Sequence, residues 1–167
     1  LTACCAQMLN HFKLPSGAAA AMADSKLPDA QSGYEKGTTA VMAGLSGLNL
    51  VYESVGMHAS LLGFCLESMI IDNDMLGQCI RCVRGVEVND DTLSLETIRD
   101  VCLNGPGHYL GHERTLDVME TEYVYPSISD RSSPKEWYEN GRPEILDTAH
   151  KSVKYILENH SPNHISS

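Results

Sequence analysis

Apolar and polar positions alternate along this chain in blocks that favour helices, with two short breaks that favour strands. Leu1–Phe12 (LTACCAQMLNHF) carries helical apolar spacing from its first residue and lacks a polar start signal, so it reads as mid-element, with an upstream portion expected. After Pro15, the run Ser16–Ala23 (SGAAAAMA) is short, small and apolar, and it ends at the polar cluster Asp24-Ser25-Lys26. That pattern suits a buried strand. Pro28 and Asp29 then open a helix to about Leu45, with Asp29 placed to cap its first amides. Leu48–Tyr52 (LNLVY), between Gly47 and Glu53-Ser54, suits a second buried strand. A strand, helix, strand order requires parallel pairing.

From Ser60 to Arg84 apolar residues return at helical spacing (Leu61, Leu62, Cys65, Met69, Ile70, Leu76, Ile80, Val83), with Asp72-Asn73-Asp74 as a possible bend and Gly85 as the stop. Beyond Asp90 and Asp91 a short helix is expected over about Leu93–Leu103, a turn at Asn104-Gly105-Pro106-Gly107, and another helix over about Tyr109–Tyr123. Ser133-Pro134-Lys135-Glu136 is a capping box with proline at the first helical position. Arg142-Pro143-Glu144 opens the last helix, which should run to about Asn159 and fray after His160. The chain therefore reads as a single partial domain of α/β class, helix-rich overall: strand-helix units over 1–59 and a helical C-terminal region over 60–167.

Length and composition narrow the function classes. A chain of 167 residues with 43% hydrophobic and 20% charged residues can bury a core. The formal charge of −10 repels phosphate backbones and anionic lipid surfaces, so neither nucleic acid nor membrane is an expected partner. No apolar run approaches the roughly 20 residues of a bilayer span, and Leu1–Lys13 lacks the basic flank of a secretory signal, which points to the cytoplasm. The six cysteines (Cys4, Cys5, Cys65, Cys79, Cys82, Cys102) lack the spacing of a disulfide framework and are expected as reduced, mostly buried thiols.

Several short patterns have both a chemical and a structural explanation. Gly33, Gly37 and Gly44, with Ala30 and Ala40, leave room for a close neighbour; Glu35 and Lys36 interrupt the stripe, so soluble packing is preferred over a membrane helix pair. His108 and His112 are four apart, a spacing that binds zinc on a helix when a third ligand is supplied. Because His108 follows Gly107 at a helix start, capping or an interhelical hydrogen bond is preferred, and no metal is expected. Cys79-Ile80-Arg81-Cys82 has the spacing of a redox or zinc pair but stands without a second pair, so it is taken as structural.

Three longer patterns are more specific. Asp24-Ser25-Lys26-Leu27-Pro28-Asp29-Ala30-Gln31-Ser32-Gly33-Tyr34-Glu35-Lys36, then Gly105-Pro106-Gly107-His108-Tyr109-Leu110-Gly111-His112, then Asp130-Arg131-Ser132-Ser133-Pro134 with Trp137, occur in order along nearly the whole chain. With these the chain resembles the trimethylamine:corrinoid methyltransferase family. The resemblance implies the C-terminal portion of a TIM-type barrel, about two parallel strand-helix units followed by a helical tail. It also implies transfer of a methyl group from a methylated or quaternary amine to cobalt in a separate corrinoid protein. The corrinoid (cobalamin) would be carried by that partner, with no cofactor held tightly here. Founding members carry pyrrolysine; every residue here is standard, which places the chain nearer the branch lacking it.

A barrel presents its reacting groups at the C-terminal ends of its strands, here Asp24, Ser25 and Lys26 after the first strand and Glu53 and Ser54 after the second. A quaternary ammonium is held by carboxylates and aromatic faces, so Asp24, Glu53 and Tyr52 have the right chemistry, with Lys26 and His58 beside them. The competing roles are structural: Asp24 as a turn cap, Glu53 in an ion pair with Lys26, His58 as a loop residue facing solvent. No residue is identified as the catalytic acid. A second class of function is a non-catalytic fragment that self-associates as a homodimer or higher oligomer through the strand Leu48–Tyr52, since an open parallel sheet needs cover.

Overall fold

The computed structural model describes residues 1–162 and divides the chain into two compact units, Leu1–Val83 with the chain from Pro126 onward, and Arg84–Tyr125. The fraying expected after His160 concerns residues that, from 163 on, lie outside the described residues.

In the first unit α1 (Thr2–His11) precedes β1 (Gly17–Ala19), α2 (Ala30–Leu45) and β2 (Leu50–Tyr52). The two strands pair in parallel, Gly17 opposite Leu50 and Ala19 opposite Tyr52, so the strand, helix, strand unit forms as its order requires. Both strands are shorter than expected. Ala20–Ala23 leaves the ladder because Ala21 takes a left-handed conformation (φ 62°) and donates its amide to the Thr39 hydroxyl on α2 at 3.1 Å. Asp29 caps α2 as expected, accepting from the Ser32 amide at 2.9 Å.

The expected helix over Ser60–Arg84 is corrected at its start. An antiparallel hairpin, β3 (Met57–His58) with β4 (Gly63–Phe64), comes first, and α3 runs from Leu66 to Arg84. The hairpin was hidden in the apolar spacing because three of its four connecting residues, Ala59, Ser60 and Leu61, are left-handed (φ 51°, 54° and 71°) without a glycine. Asp72-Asn73-Asp74 does not split α3, which runs through it unbroken. Its buried positions are Ser68, Asp72, Asp74 and Cys79, whereas Ile80 is exposed, so the face turned inward is largely polar.

The core between α2 and α3 is built from small groups: Ala21, Ala40 and Cys79, flanked by Val41, Met75 and Leu76. Gly44 lies against Val83, the close approach its missing Cβ permits, while Gly33 faces open space. Of the six cysteines, all free, only Cys79 is buried, against the expectation of mostly buried thiols; Cys4, Cys5, Cys82 and Cys102 are exposed. Burial, and then the nearby Cys82, push the Cys79 thiol above its usual range.

After Pro126, α7 (Pro134–Glu139) and α8 (Ile145–Asn159) complete this unit. The capping box at α7 is formed, with the Ser133 hydroxyl accepting from the Glu136 amide and Glu136 accepting from the Ser133 amide at 2.9 Å. The returning segment is fixed by Asp74. Its carboxylate accepts from the Ser127 amide at 2.6 Å and the Ser129 hydroxyl at 2.6 Å, with the Ser127 hydroxyl and Ser129 amide completing the set. On α8, His150 bonds Glu67 of α3 at 2.7 Å.

In the second unit the helix expected over Leu93–Leu103 is broken into α4 (Asp90–Leu93), α5 (Leu95–Arg99) and a π-helical turn at Asp100–Asn104. Left-handed Ser94 (φ 51°) separates the first two. The last long helix of this unit, α6, spans Glu113–Glu122, starting later than expected because His112 is its cap, Nδ1 accepting from the Arg114 amide at 3.1 Å.

Burial on its own would raise the Asp74 carboxyl, but the donors from Ser129 and Ser127 outweigh it and hold it below the usual aspartate range. A lowered carboxyl contributes stability above the unfolded value of about 4 and loses it as pH falls through the folded value. Asp74→Asn is therefore expected to lower stability by about 2 kcal/mol at pH 7, since a carboxylate accepting buried hydrogen bonds is replaced by a neutral amide. In denaturant titrations the gap between wild type and variant should close below about pH 4; a gap that persists there would show that the loss comes from packing.

Candidate functional site

The site starts from a lysine inside the protein. Ser32, Lys36, Ala40 and Ala43 form the buried face of α2, and Lys36 is 1% exposed. Its ammonium donates to Asp72 Oδ2 of α3 at 2.7 Å and lies 3.4 Å from His58 Nε2 of β3. Asp72 is 3% exposed, and the same Oδ2 accepts the Gly56 amide at 2.7 Å.

His58, 3% exposed, completes the network. Its Nδ1 lies 3.2 Å from the Ser25 carbonyl oxygen, which can only accept, so Nδ1 carries the proton. Nε2 then presents its lone pair to the Ser68 hydroxyl at 2.6 Å and to Lys36. The tautomer is assigned from this pattern of donors and acceptors. Every buried side-chain polar atom among the described residues has a partner.

Above this network lies an open cavity of about 560 Å³ lined by residues that include Asp24, Tyr34, Glu35, Ser60 and Leu61. Glu35 holds its floor: one oxygen accepts the Asp24 amide at 2.8 Å and the Ser25 amide at 3.3 Å, the other Gln31 at 2.8 Å. The Gln31 bond, with those amides, lowers the Glu35 carboxyl below its usual range against opposing burial. The left-handed turn Ala59–Leu61 docks on the same segment, with the Ala59 amide donating to the Ser25 carbonyl and the Ser60 amide to that of Ala23. Ser60 also donates its hydroxyl to the Asp24 carboxylate. The left-handed residues Ser60 and Leu61 thus line the cavity with Asp24, and strain of this kind is common where a site is held in a fixed shape.

Of the residues expected to bind substrate, Asp24 lines the cavity, and His58 lies beneath it as part of the buried network, not as a loop residue facing solvent. The Asp24 carboxylate accepts the Ser60 hydroxyl rather than an amide of its own turn. Lys26 folds back to donate to the Asp24 carbonyl at 2.9 Å and makes no ion pair with Glu53. Tyr52 ends β2, and exposed Glu53 follows it in a left-handed conformation (φ 58°); neither lines the Asp24 cavity. Tyr34, Glu35, Lys36, Ser68 and Asp72 were not singled out as site residues. One signal for Lys36 was available: a cation on a helical stripe otherwise made of serine and alanine demands a buried counter-charge.

The second unit contains a separate cavity of about 980 Å³, lined in part by Arg84, Arg114, Tyr109 and Tyr123. Both arginines are paired, Arg84 with Glu122 and Arg114 with Asp91, each at 2.7 Å. The shared helical face proposed for His108 and His112 does not form, because both precede α6; His112 caps it and lies 3.5 Å from Asp100.

A parallel strand-helix-strand unit, with a cavity lined by a carboxylate and an aromatic ring from the β1–α2 loop and α2, defines a helix-rich α/β protein. The family model for trimethylamine methyltransferase (MTTB) matches residues 1–167, and the chain belongs to that family. Similar curated proteins include the trimethylamine methyltransferase MttB of Methanosarcina thermophila, 31% identical over 163 residues, and that of Desulfitobacterium hafniense (strain DSM 10664 / DCB-2), 31% identical over 157 residues. The glycine betaine methyltransferase of Desulfitobacterium hafniense (strain Y51) is 30% identical over 158 residues. The matches cover 96%, 94% and 94% of this chain but 32%, 31% and 32% of those proteins, so the chain spans about a third of their length.

Gly56 offers a local test. Its φ is +76°, and an added Cβ would lie 2.5 Å from the Phe64 ring and 2.9 Å from Met69 Cγ. Gly56→Ala is expected to cost about 2–5 kcal/mol, about 1–2 for the left-handed conformation and the rest for overpacking. Gly85→Ala, at φ +70° with open space around the new Cβ, should show the conformational part alone, about 1–2 kcal/mol. Equal losses in urea titrations would contradict the packing around Gly56.

Proposed function

We propose that this chain is the C-terminal portion of a TIM-type barrel and supplies the methyl-donor site of a methyltransferase acting on a methylated or quaternary amine. The observation that carries this reading is the Asp24 cavity, which brings together the Asp24 carboxylate from the loop after β1 and the Tyr34 phenol and Glu35 from α2. The names of the relatives, for trimethylamine and for glycine betaine, support the same class of donor.

The chemistry fits these residues. A tetraalkylammonium offers no N–H, so it is recognised by diffuse positive charge against a carboxylate and a ring face. Asp24 supplies the charge, Tyr34 the face, and Glu35 the rigid floor that holds Asp24 in place. The cobalt of a corrinoid carried by a partner protein supplies the acceptor of the methyl group. The chain's own contribution is to hold the donor in a fixed orientation. Glu53 and Tyr52 extend the same chemistry at the end of β2, Lys26 sets the Asp24 backbone, and His58 supports the loop from inside. A cytoplasmic location goes with this reading.

Calorimetric titration of the chain with glycine betaine and with trimethylamine tests it. Saturable binding is expected, weakened at least tenfold, about 1.4 kcal/mol, in Asp24→Asn. A folded chain that binds neither amine would overturn the assignment.

A second reading, self-association, is favoured by Leu50 and Tyr52, which are 62% and 48% exposed on the two-stranded parallel sheet. Light scattering is expected to give a multiple of 18.3 kDa that falls toward the single-chain mass in Leu50→Lys. A wild-type chain already at the single-chain mass would remove this reading.

A further inference from the structure

We infer that Lys36, Asp72 and His58 are positioning residues that lock the two loops leaving β1 and β2 into one shape, and through them set the affinity of the Asp24 cavity. That the cavity holds an ammonium rests on the reading above; the locking itself rests on geometry. Asp72 Oδ2 joins the Lys36 ammonium and the Gly56 amide, each at 2.7 Å, and so fixes the loop after β2 to α2 and α3 at once. His58 holds the Ser25 carbonyl of the loop after β1 at 3.2 Å, while its Nε2 is held by Ser68 and Lys36. Asp24, the residue before Ser25, is consequently held from two sides, its amide by Glu35 and the following carbonyl by His58. None of the three buried side chains lines the cavity, so they can act on it only through these loops.

A structural ion pair and a positioning device respond differently to replacement. An apolar pair of similar volume often preserves or raises stability, but it offers no acceptor to Gly56 and no cation to His58. The test is the double variant Lys36→Met with Asp72→Leu, titrated with tetramethylammonium chloride and followed by amide hydrogen exchange. A folded chain is expected, its melting lowered by the Gly56 amide left without an acceptor, together with at least tenfold weaker binding. Exchange should be at least tenfold faster at the amides of Asp24 and Ala59, whose own partners are untouched. A second pair covers the case in which the double variant does not fold. His58→Asn keeps a donor where Nδ1 stands and should bind within threefold of wild type, whereas His58→Ala should lose at least tenfold.

Wild-type affinity and wild-type exchange in a folded Lys36→Met/Asp72→Leu chain, or equal affinity in the two His58 variants, would overturn the inference and leave the Asp24 site standing. Failure of the wild-type chain to bind tetramethylammonium would remove the ammonium site, and exchange at Asp24 and Ala59 would then decide the locking alone, faster exchange upholding it and unchanged exchange ending it.

Discussion

A lysine ammonium enclosed among alanines must be neutralised where it stands, and the first unit of this protein is organised around meeting that demand for Lys36. Removing an ion from water costs several kcal/mol even after relaxation, and loss of one partner of a buried pair typically costs about 3–5 kcal/mol. The fold meets the demand with Asp72 at 2.7 Å, and both groups then use their remaining capacity on backbone and imidazole. A core of small side chains gives little freedom to repack around such a pair. Lys36, Val101 and Ser68 are the largest fully buried side chains among the described residues, so in the first unit the polar network occupies the place large apolar residues usually fill.

That constraint explains the unusual backbone nearby. Left-handed alanine, serine and leucine each cost roughly 1–2 kcal/mol, and Ala59, Ser60 and Leu61 adopt that conformation in succession. The turn is held because its amides find the carbonyls of Ser25 and Ala23, which His58 and Glu35 have already fixed. The strain, the buried pair and the cavity are therefore parts of one arrangement rather than separate features.

The periodic parts of this arrangement were legible in the sequence. Asp29 before a small-residue helix, Ser133 three residues before Glu136, and the strand, helix, strand order are local or topological signals, and each has its structural counterpart. The hairpin Met57–Phe64 was not legible, because its turn lacks the glycine or asparagine that marks left-handed backbone. The network was hidden for a different reason. Lys36 and Asp72 read individually as solvated charges, 36 positions apart, and only the packing of α2 on α3 makes them partners. Asp24 was legible from its place at a strand end. Tyr34 and Glu35 sit on the helix that follows and reach the cavity only because the loop turns back over them.

The charged groups around the Asp24 cavity bear on the cation proposed for it. Lys36 is consumed inside by Asp72, and Lys26 spends its ammonium on the Asp24 carbonyl rather than on its carboxylate. Among the described residues the Asp24 carboxylate is met by the Ser60 hydroxyl and by no cation, and Glu35 beside it adds a second negative charge whose oxygens are occupied by amides. A hydroxyl donor stabilises a carboxylate but does not neutralise it, so Asp24 keeps its negative charge in a chain that carries −10. A neutral ligand of the same shape would have to match the Asp24 carboxylate by donating hydrogen bonds, whereas a quaternary nitrogen, which has no N–H, would be held by its charge alone.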